Sequence, residues 1–287
     1  MSFSPLPAPH HSMVRWTDVQ VGREHTMEVV ISATPDEAGK LAADAIEELL
    51  QRRPDAVLGV ATGSSPLIIY DELGRRVAQG SLSLAEVRAF MLDEYVGLPA
   101  DHPQRYRNVI RDEFVEKVDI NAAHVFGPDG LADDLAGACE AYERAIAEAG
   151  GIDLQIVGIG TDGHIAFNEP GSSLASRTRI KTLTSQTRRD NARFFGGDVE
   201  AVPQHCLTQG IGTILEAHHV VLVAAGRGKA EAVHQLVEGP VSAMWPATAL
   251  QLHPHVTVFL DTAAASRLQL ASYYIETYQA KPSWQGF

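Results

Sequence analysis

IDLQIVGIGTDGHIAFNEP, residues 152–170, couples a short apolar run to a glycine-punctuated loop that carries an Asp, a His, an Asn and a Glu. The run Ile152–Val157 predicts a strand, and Gly158, Gly160 and Gly163 mark the turn that leaves it. Asp162, His164, Asn168 and Glu169 then fall within eight residues. At the carboxyl end of a strand in an open α/β sheet, such a loop lies where ligands bind. Many loops of this composition are simply polar connections. Here Ile165, Ala166 and Phe167 interrupt the polar residues and can pin the loop into a core while its polar members face a cavity. The glycines also match the dinucleotide pattern G-x-G-x-x-G. That pattern requires a helix to open at the glycines, and Pro170 and Gly171 leave no room for one.

Outward from this loop, strands and helices alternate. Glu28–Ser32 reads as a strand and 35–53 as a helix with Ala38, Leu41, Ala42, Ala45, Ile46, Leu49 and Leu50 on one side. Thr34 suits its N-cap and Pro35 its first turn. Strands are expected over 56–61, 87–92, 219–224 and 255–260, and helices over 66–78, 103–117, 132–149, 188–195 and 228–237. Arg177, Arg179 and Lys181 alternate with Thr178, Ile180 and Thr182, a period of two that on a strand sets three cations on one face. The alternation implies an α/β fold: a doubly wound, mostly parallel sheet with helices on both faces, Rossmann-like, in a single domain. No repeat or linker divides the chain. Residues 1–26, with Pro5, Pro7 and Pro9, read as an irregular N-terminal extension, and 27–287 as the folded domain.

The 287 residues suffice for a sizeable core, and 45% hydrophobic with 21% charged residues is ordinary globular composition. A net charge of −13 opposes a nucleic-acid-binding face but not a small anionic substrate held by a few local cations. Cys139 and Cys206 are too few for a disulfide scaffold and lack metal spacing, which fits a reducing cytoplasm. The N-terminal residues show no apolar signal region, and the longest apolar run, Val220–Ala225, is too short for a bilayer. A cytoplasmic location, without membrane or nucleic-acid partners, is therefore expected.

Three further clusters could carry chemistry. Thr62-Gly63-Ser64-Ser65-Pro66, between a strand and a helix N-terminus, reads either as a turn with capping serines or as an anion site. It lacks the ending of a nucleotide P-loop, so a small phosphate ester suits it better than ATP. Asp93 and Glu94 follow the strand 87–92. Adjacent extended residues face opposite ways, so one of the pair can enter a cavity and take a proton from carbon, unless both are solvated surface acids. Arg193 and Lys229 are cations that a phosphate could use, Arg as a fork and Lys as a point charge. His218 and His219 are adjacent rather than four apart, which argues against a metal site.

Together LGVATGSSP (58–66), LDEYVGLP (92–99), the stretch 158–182 beginning GIGTDGHIAFNEP, and RGKA (227–230) resemble the glucosamine-6-phosphate deaminase (isomerising) family. The resemblance runs from about Met27 to about residue 270. It implies a Rossmann-like fold and conversion of D-glucosamine 6-phosphate and water into D-fructose 6-phosphate and ammonia, in N-acetylglucosamine catabolism. It implies no redox cofactor and no catalytic metal. By resemblance, His164 is the ring-opening acid/base, Asp162 and Glu169 orient and tune it, and Asp93 moves the C2 proton to C1. Thr62, Gly63, Ser64, Ser65, Arg193 and Lys229 match the 6-phosphate site. Ser172, Arg179 and Lys181 match positions of an allosteric site for N-acetylglucosamine 6-phosphate found in family members that form homo-oligomers, including hexamers. Family allostery also uses groups near the chain start, which aligns here with Met27, behind 26 further residues.

Two competitors remain. A 6-phosphogluconolactonase-type hydrolase shares the scaffold and phosphate clamp but needs no base for a C2 proton, and DEYVGLP with HIAFNEP is unlike that family. A non-catalytic sugar-phosphate sensor would need a helix-turn-helix module, which 26 proline-bearing residues do not supply.

Overall fold

The computed structural model describes residues 27–282 and 284–287. The expected extension over 1–26 lies outside the described residues. In chain order the elements are β1 (Met27–Ser32), α1 (Pro35–Arg52), β2 (Val57–Val60), α2 (Ser64–Ala78), β3 (Arg88–Met91) and β4 (Asp93–Tyr95). Next come α3 (Tyr106–Glu113), β5 (Val125–Phe126), α4 (Leu135–Glu148), β6 (Leu154–Val157), β7 (Arg179–Thr182) and α5 (Ser185–Asn191). The chain ends with β8 (His205–Thr208), α6 (Ile211–Ile214), β9 (His219–Ala224), α7 (Ala230–Glu238), β10 (Val256–Asp261) and α8 (Ala271–Gln279).

Among the described residues, seven strands form a sheet in the order β1-β10-β9-β6-β2-β3-β5, and every pairing in it is parallel. Parallel strands must be buried on both faces, and side-chain alternation sorts them into two cores. Val57, Val157, Val220 and Leu222 pack with Tyr142 and Ile146 of α4 and Val233 and Leu236 of α7. Leu58, Ile156, Val221 and Val223 pack with Ala42 and Ile46 of α1, Tyr70 and Leu73 of α2 and Phe114 beyond α3. The doubly wound, single-domain α/β reading therefore holds. No helix of the described residues is long and apolar enough to cross a membrane.

Local rules explain most element ends. The Thr34 side chain accepts a hydrogen bond from the Glu37 amide (3.2 Å), and the Glu37 carboxylate accepts one from the Ala33 amide (2.9 Å). This reciprocal cap fixes the start of α1. Asp134 caps α4 through the Gly137 amide at 3.0 Å. The helix expected over 103–117 is shorter, α3 followed by a 3₁₀ turn at Val115–Lys117. The one expected over 188–195 begins earlier, as α5, and finishes in a 3₁₀ turn at Ala192–Phe194.

A second sheet was not anticipated. β4, β8 and β7 pair antiparallel in that order, with Asp93 opposite Thr208 and Thr208 opposite Arg179. Arg177 lies outside β7 and is paired with Glu143 and with Glu216. The expected row of three cations is therefore two, Arg179 and Lys181.

α1 and α2 are tied by Arg76, which is 8% exposed. Its guanidinium donates to Glu72 (2.8 Å), Glu47 (2.5 Å) and Asp44 (2.6 Å). Removing the cation alone would leave Asp44 and Glu47 without it beside Glu72, which keeps Arg75, an effect tempered by solvent at the half-exposed Asp44. Arg76→Ala is expected to cost about 2–3 kcal/mol and to lower Tm by roughly 5–10 °C in thermal unfolding; an unchanged melt would show that the cluster contributes nothing.

Candidate active site

Four neighbouring strands, β9, β6, β2 and β3, deliver the chemistry-bearing segments from their carboxyl ends. β9 leads to Lys229, β6 to Asp162–Glu169, β2 to Thr62–Ser65 and β3, through Leu92, to Asp93. The chain winds β2-β3-β5 toward one edge and β6-β9-β10 toward the other, which places the site at the topological switch point between β2 and β6.

The two acids of β4 separate as alternation requires. Glu94 is 1% exposed and is used as a helix cap. Its carboxylate accepts from the Tyr95 amide (2.8 Å) and from the first two amides of α3, Tyr106 and Arg107 (2.9 Å each). Asp93 is also buried, yet neither of its oxygens has a hydrogen-bond donor among the described residues. Burial, reinforced by the charge of Glu94, pushes its carboxyl from 3.8 up to about 8. A desolvated carboxylate of this kind suits a base that removes a proton from carbon.

The loop after β6 is held from three sides. Ile165 is fully buried, and Asn168 Nδ2 donates to the Ile165 carbonyl (3.0 Å) and the Gln209 carbonyl (2.8 Å). The Phe167 amide donates to Thr208 Oγ1 (3.2 Å), and the Ala247 amide to the Gly163 carbonyl (2.8 Å). Ala166 takes φ 49°, a strained value for a residue with a side chain, within the Ile165–Asn168 bridge. Gly160 lies under the imidazole of His164, where a Cβ would come within 2.2 Å of Cε1. Gly163 has φ 79°, and a Cβ there would meet the Trp245 ring at 2.6 Å. The glycines are thus turn formers and packing positions.

His164 Nδ1 lies 2.7 Å from Asp162 Oδ1, although the ring N–H is turned off that line and makes no well-aligned bond. The Asp162 carboxylate also accepts from the His164 amide at 3.2 Å. The imidazole holds Asp162 below the usual carboxylate range, against its partial burial. Glu169 does not pair with His164 here. Its Oε1 accepts from the Thr184 hydroxyl (3.1 Å) and, closely, from the Thr187 hydroxyl. The carboxylate anchors the start of α5, and no hydrogen bond or ion pair joins it to His164 in this structure.

α2 begins at Ser64 behind Gly63, which has φ 106°, and no side chain caps it. Its first amides lack a side-chain cap and lie at the carboxyl end of β2 in the same turn as Thr62, Ser64 and Ser65, an arrangement favourable to an anion. Lys229 is held below the usual lysine range first by burial and then by the charge of Arg193, with Asp162 and Asp190 opposing. Arg193, Lys229 and Asp162 therefore share one electrostatic neighbourhood. Arg179 and Lys181 share the other face of β7, and the buried Ser172 hydroxyl has no partner among the described residues. Among the described residues no group of three or more His, Cys, Asp or Glu could hold a metal ion.

Residues that sequence reasoning missed are those whose roles come from distant pairing. Thr208 and Gln209 follow no motif. Tyr95 and Tyr142 are buried and Tyr106 partly so, and all three lie within the field of Asp93. Thr184 could have been found as an N-cap, since it accepts from the Thr187 amide at 3.2 Å.

The family model for glucosamine-6-phosphate isomerases/6-phosphogluconolactonase matches residues 32–259. A glucosamine-6-phosphate deaminase of Mycolicibacterium smegmatis is 70% identical over 260 residues, covering 91% of this chain and 100% of that protein. The solved structure of a monomeric glucosamine-6-phosphate deaminase superposes with a TM-score of 0.81 at 43% identity, over 84% of this chain and 100% of that one. A 6-phosphogluconolactonase from Trypanosoma cruzi, 21% identical over 86% of this chain and 98% of that one, superposes with a TM-score of 0.69 and shares the fold. With the strand-end cluster and this extent of similarity together, the chain belongs to the glucosamine-6-phosphate isomerase/6-phosphogluconolactonase family.

Proposed function

We propose that this protein converts D-glucosamine 6-phosphate and water into D-fructose 6-phosphate and ammonia. The observation that carries the reading is Asp93, a buried carboxylate without a donor among the described residues, at the end of the strand next to the Thr62–Ser65 turn. Lactone hydrolysis has no use for a base aimed at C2, whereas aldose–ketose isomerisation requires one.

The phosphate would lie against the α2 amides and the Thr62–Ser65 hydroxyls, with Arg193 and Lys229 neutralising it. Anchoring the substrate at its far end leaves C1, C2 and the ring oxygen to be oriented by the remaining groups. His164, whose Nδ1 lies 2.7 Å from Asp162, delivers a proton to the ring oxygen as the sugar opens to the aldehyde. Asp93 then takes the C2 proton and the C1 oxygen becomes a hydroxyl, giving an enol-type intermediate. Return of the proton to C1 turns the C2 amine into an imine. Water adds at C2, ammonia leaves, and the ketone is restored. Every step is proton transfer or addition and elimination of water and ammonia.

Arg179 and Lys181, two apart on β7 and without a carboxylate partner among the described residues, support a second, regulatory phosphate site with Ser172. N-acetylglucosamine 6-phosphate is its proposed ligand, in a homo-oligomer that can extend to a hexamer. The buried free thiols Cys139 and Cys206 favour a cytoplasmic location. Residues 1–26 are proposed to be an extension outside the catalytic domain 27–287.

Asp93→Asn should lower turnover by roughly 10²–10⁴-fold while leaving phosphate-ester binding intact, measured as ammonia release and inhibitor affinity. His164→Gln should lower turnover too, chiefly by slowing ring opening. Near wild-type turnover in Asp93→Asn would remove Asp93 as the base. In steady-state assays N-acetylglucosamine 6-phosphate should raise activity at low substrate; a hyperbolic curve that it leaves unchanged would exclude the regulatory site.

A further inference from the structure

Between Asp93 and the His164 loop lies a buried two-residue clamp, Thr208-Gln209, at the end of β8. Both residues are fully buried. Gln209 grips the base-bearing segment twice: its amide donates to the Leu92 carbonyl (2.8 Å) and its side-chain Nε2 to the Met91 carbonyl (3.0 Å). It grips the ring-opening loop once, its carbonyl accepting from Asn168 Nδ2 at 2.8 Å. Thr208 adds the second grip on that loop, accepting from the Phe167 amide, and stands opposite Asp93 in the β4–β8 register.

We propose that Gln209 is a positioning residue for the reaction: it fixes the separation between the carbon base Asp93 and the loop that carries Asp162 and His164. The proposal rests on the function given above. The two halves of the site come from different strands, β3 and β6, which are separated in the sheet by β2. No hydrogen bond directly joins Met91–Asp93 to Ile165–Glu169 among the described residues, so the clamp is their shared support. Its energetic cost is visible in the same groups. Gln209 Oε1 and Asn168 Oδ1 are buried without a partner among the described residues. A fold selected for stability alone gains nothing from such acceptors, since an apolar side chain of equal size would avoid them. The amide is explained by the donor it supplies to Met91.

Loss of that donor should move Asp93 relative to C2 without touching the phosphate anchor. A displacement of the order of 1 Å between reacting groups can cost about 10²-fold in rate. In Gln209→Met, kcat for ammonia release from D-glucosamine 6-phosphate should therefore fall roughly 10–100-fold, with KM within about twofold of wild type because the anchor is untouched. Arg76→Ala, destabilised far from the site, is the control and should retain kcat below its melting range. If Gln209→Met does not fold, Gln209→Asn, whose shorter side chain keeps the amide but not its reach, is read the same way. Wild-type kcat in a folded Gln209 variant, or an equal loss of kcat in Arg76→Ala, would overturn the proposal. Wild-type protein that releases no ammonia from this substrate would instead overturn the function on which it rests.

Discussion

A buried carboxylate with no hydrogen-bond donor among the described residues is the constraint around which the rest of this molecule is arranged. Asp93 is 6% exposed, and burial pushes its carboxyl up to about 8. Such a group opposes folding whenever it is charged, and it persists because its surroundings hold it. Glu94 shows the contrast one residue away. It is more deeply buried, but three backbone amides satisfy it, so it serves as structure at the head of α3. One strand therefore carries a satisfied acid and an unsatisfied one, and side-chain alternation decides which is which.

The small antiparallel sheet joins the parts of the site. β4 carries Asp93, β8 leads into the Thr208-Gln209 pair, and β7 carries the cations Arg179 and Lys181. Asp93, Thr208 and Arg179 stand in one cross-strand row, so the β7 cations and Asp93 belong to the same three-stranded unit. The large parallel sheet contributes the Thr62–Ser65 turn and the Asp162–Glu169 loop from its central strands. Residues 91–93 are the chain segment that links the two sheets, β3 ending at Met91 and β4 beginning at Asp93.

Much of this was legible in the sequence because local patterns carried it. The run Ile152–Val157, the cap Thr34-Pro35 and the glycine-marked turns follow from propensities acting over a few residues. The strand-end positions of Asp93, His164 and Thr62 follow from strands alternating with helices. What could not be read depends on partners far apart in the chain. β8 has four residues and no motif, and its pairing with β4 spans more than a hundred positions. The diversion of Glu169 to Thr184 and Thr187, and of Arg177 to Glu143 and Glu216, is likewise tertiary. Period-two spacing alone grouped Arg177 with Arg179 and Lys181, because a periodicity does not say where a strand begins.

The account stands on Asp93 being desolvated and unpaired, and folding stability reads this directly. Its proton is held up to about pH 8 in the folded protein but is lost near 3.8, the ordinary value, once the chain unfolds. Between those values the unfolded state sheds a proton that the native state keeps, so the contribution of Asp93 to stability declines as pH rises. Asp93→Asn, of equal size and always neutral, escapes that decline. The most direct measurement is the difference in unfolding free energy between Asp93→Asn and wild type from pH 4 to pH 9. The difference should grow in favour of the Asn variant as pH rises and level off above about 8; a difference that stays constant with pH would contradict the account.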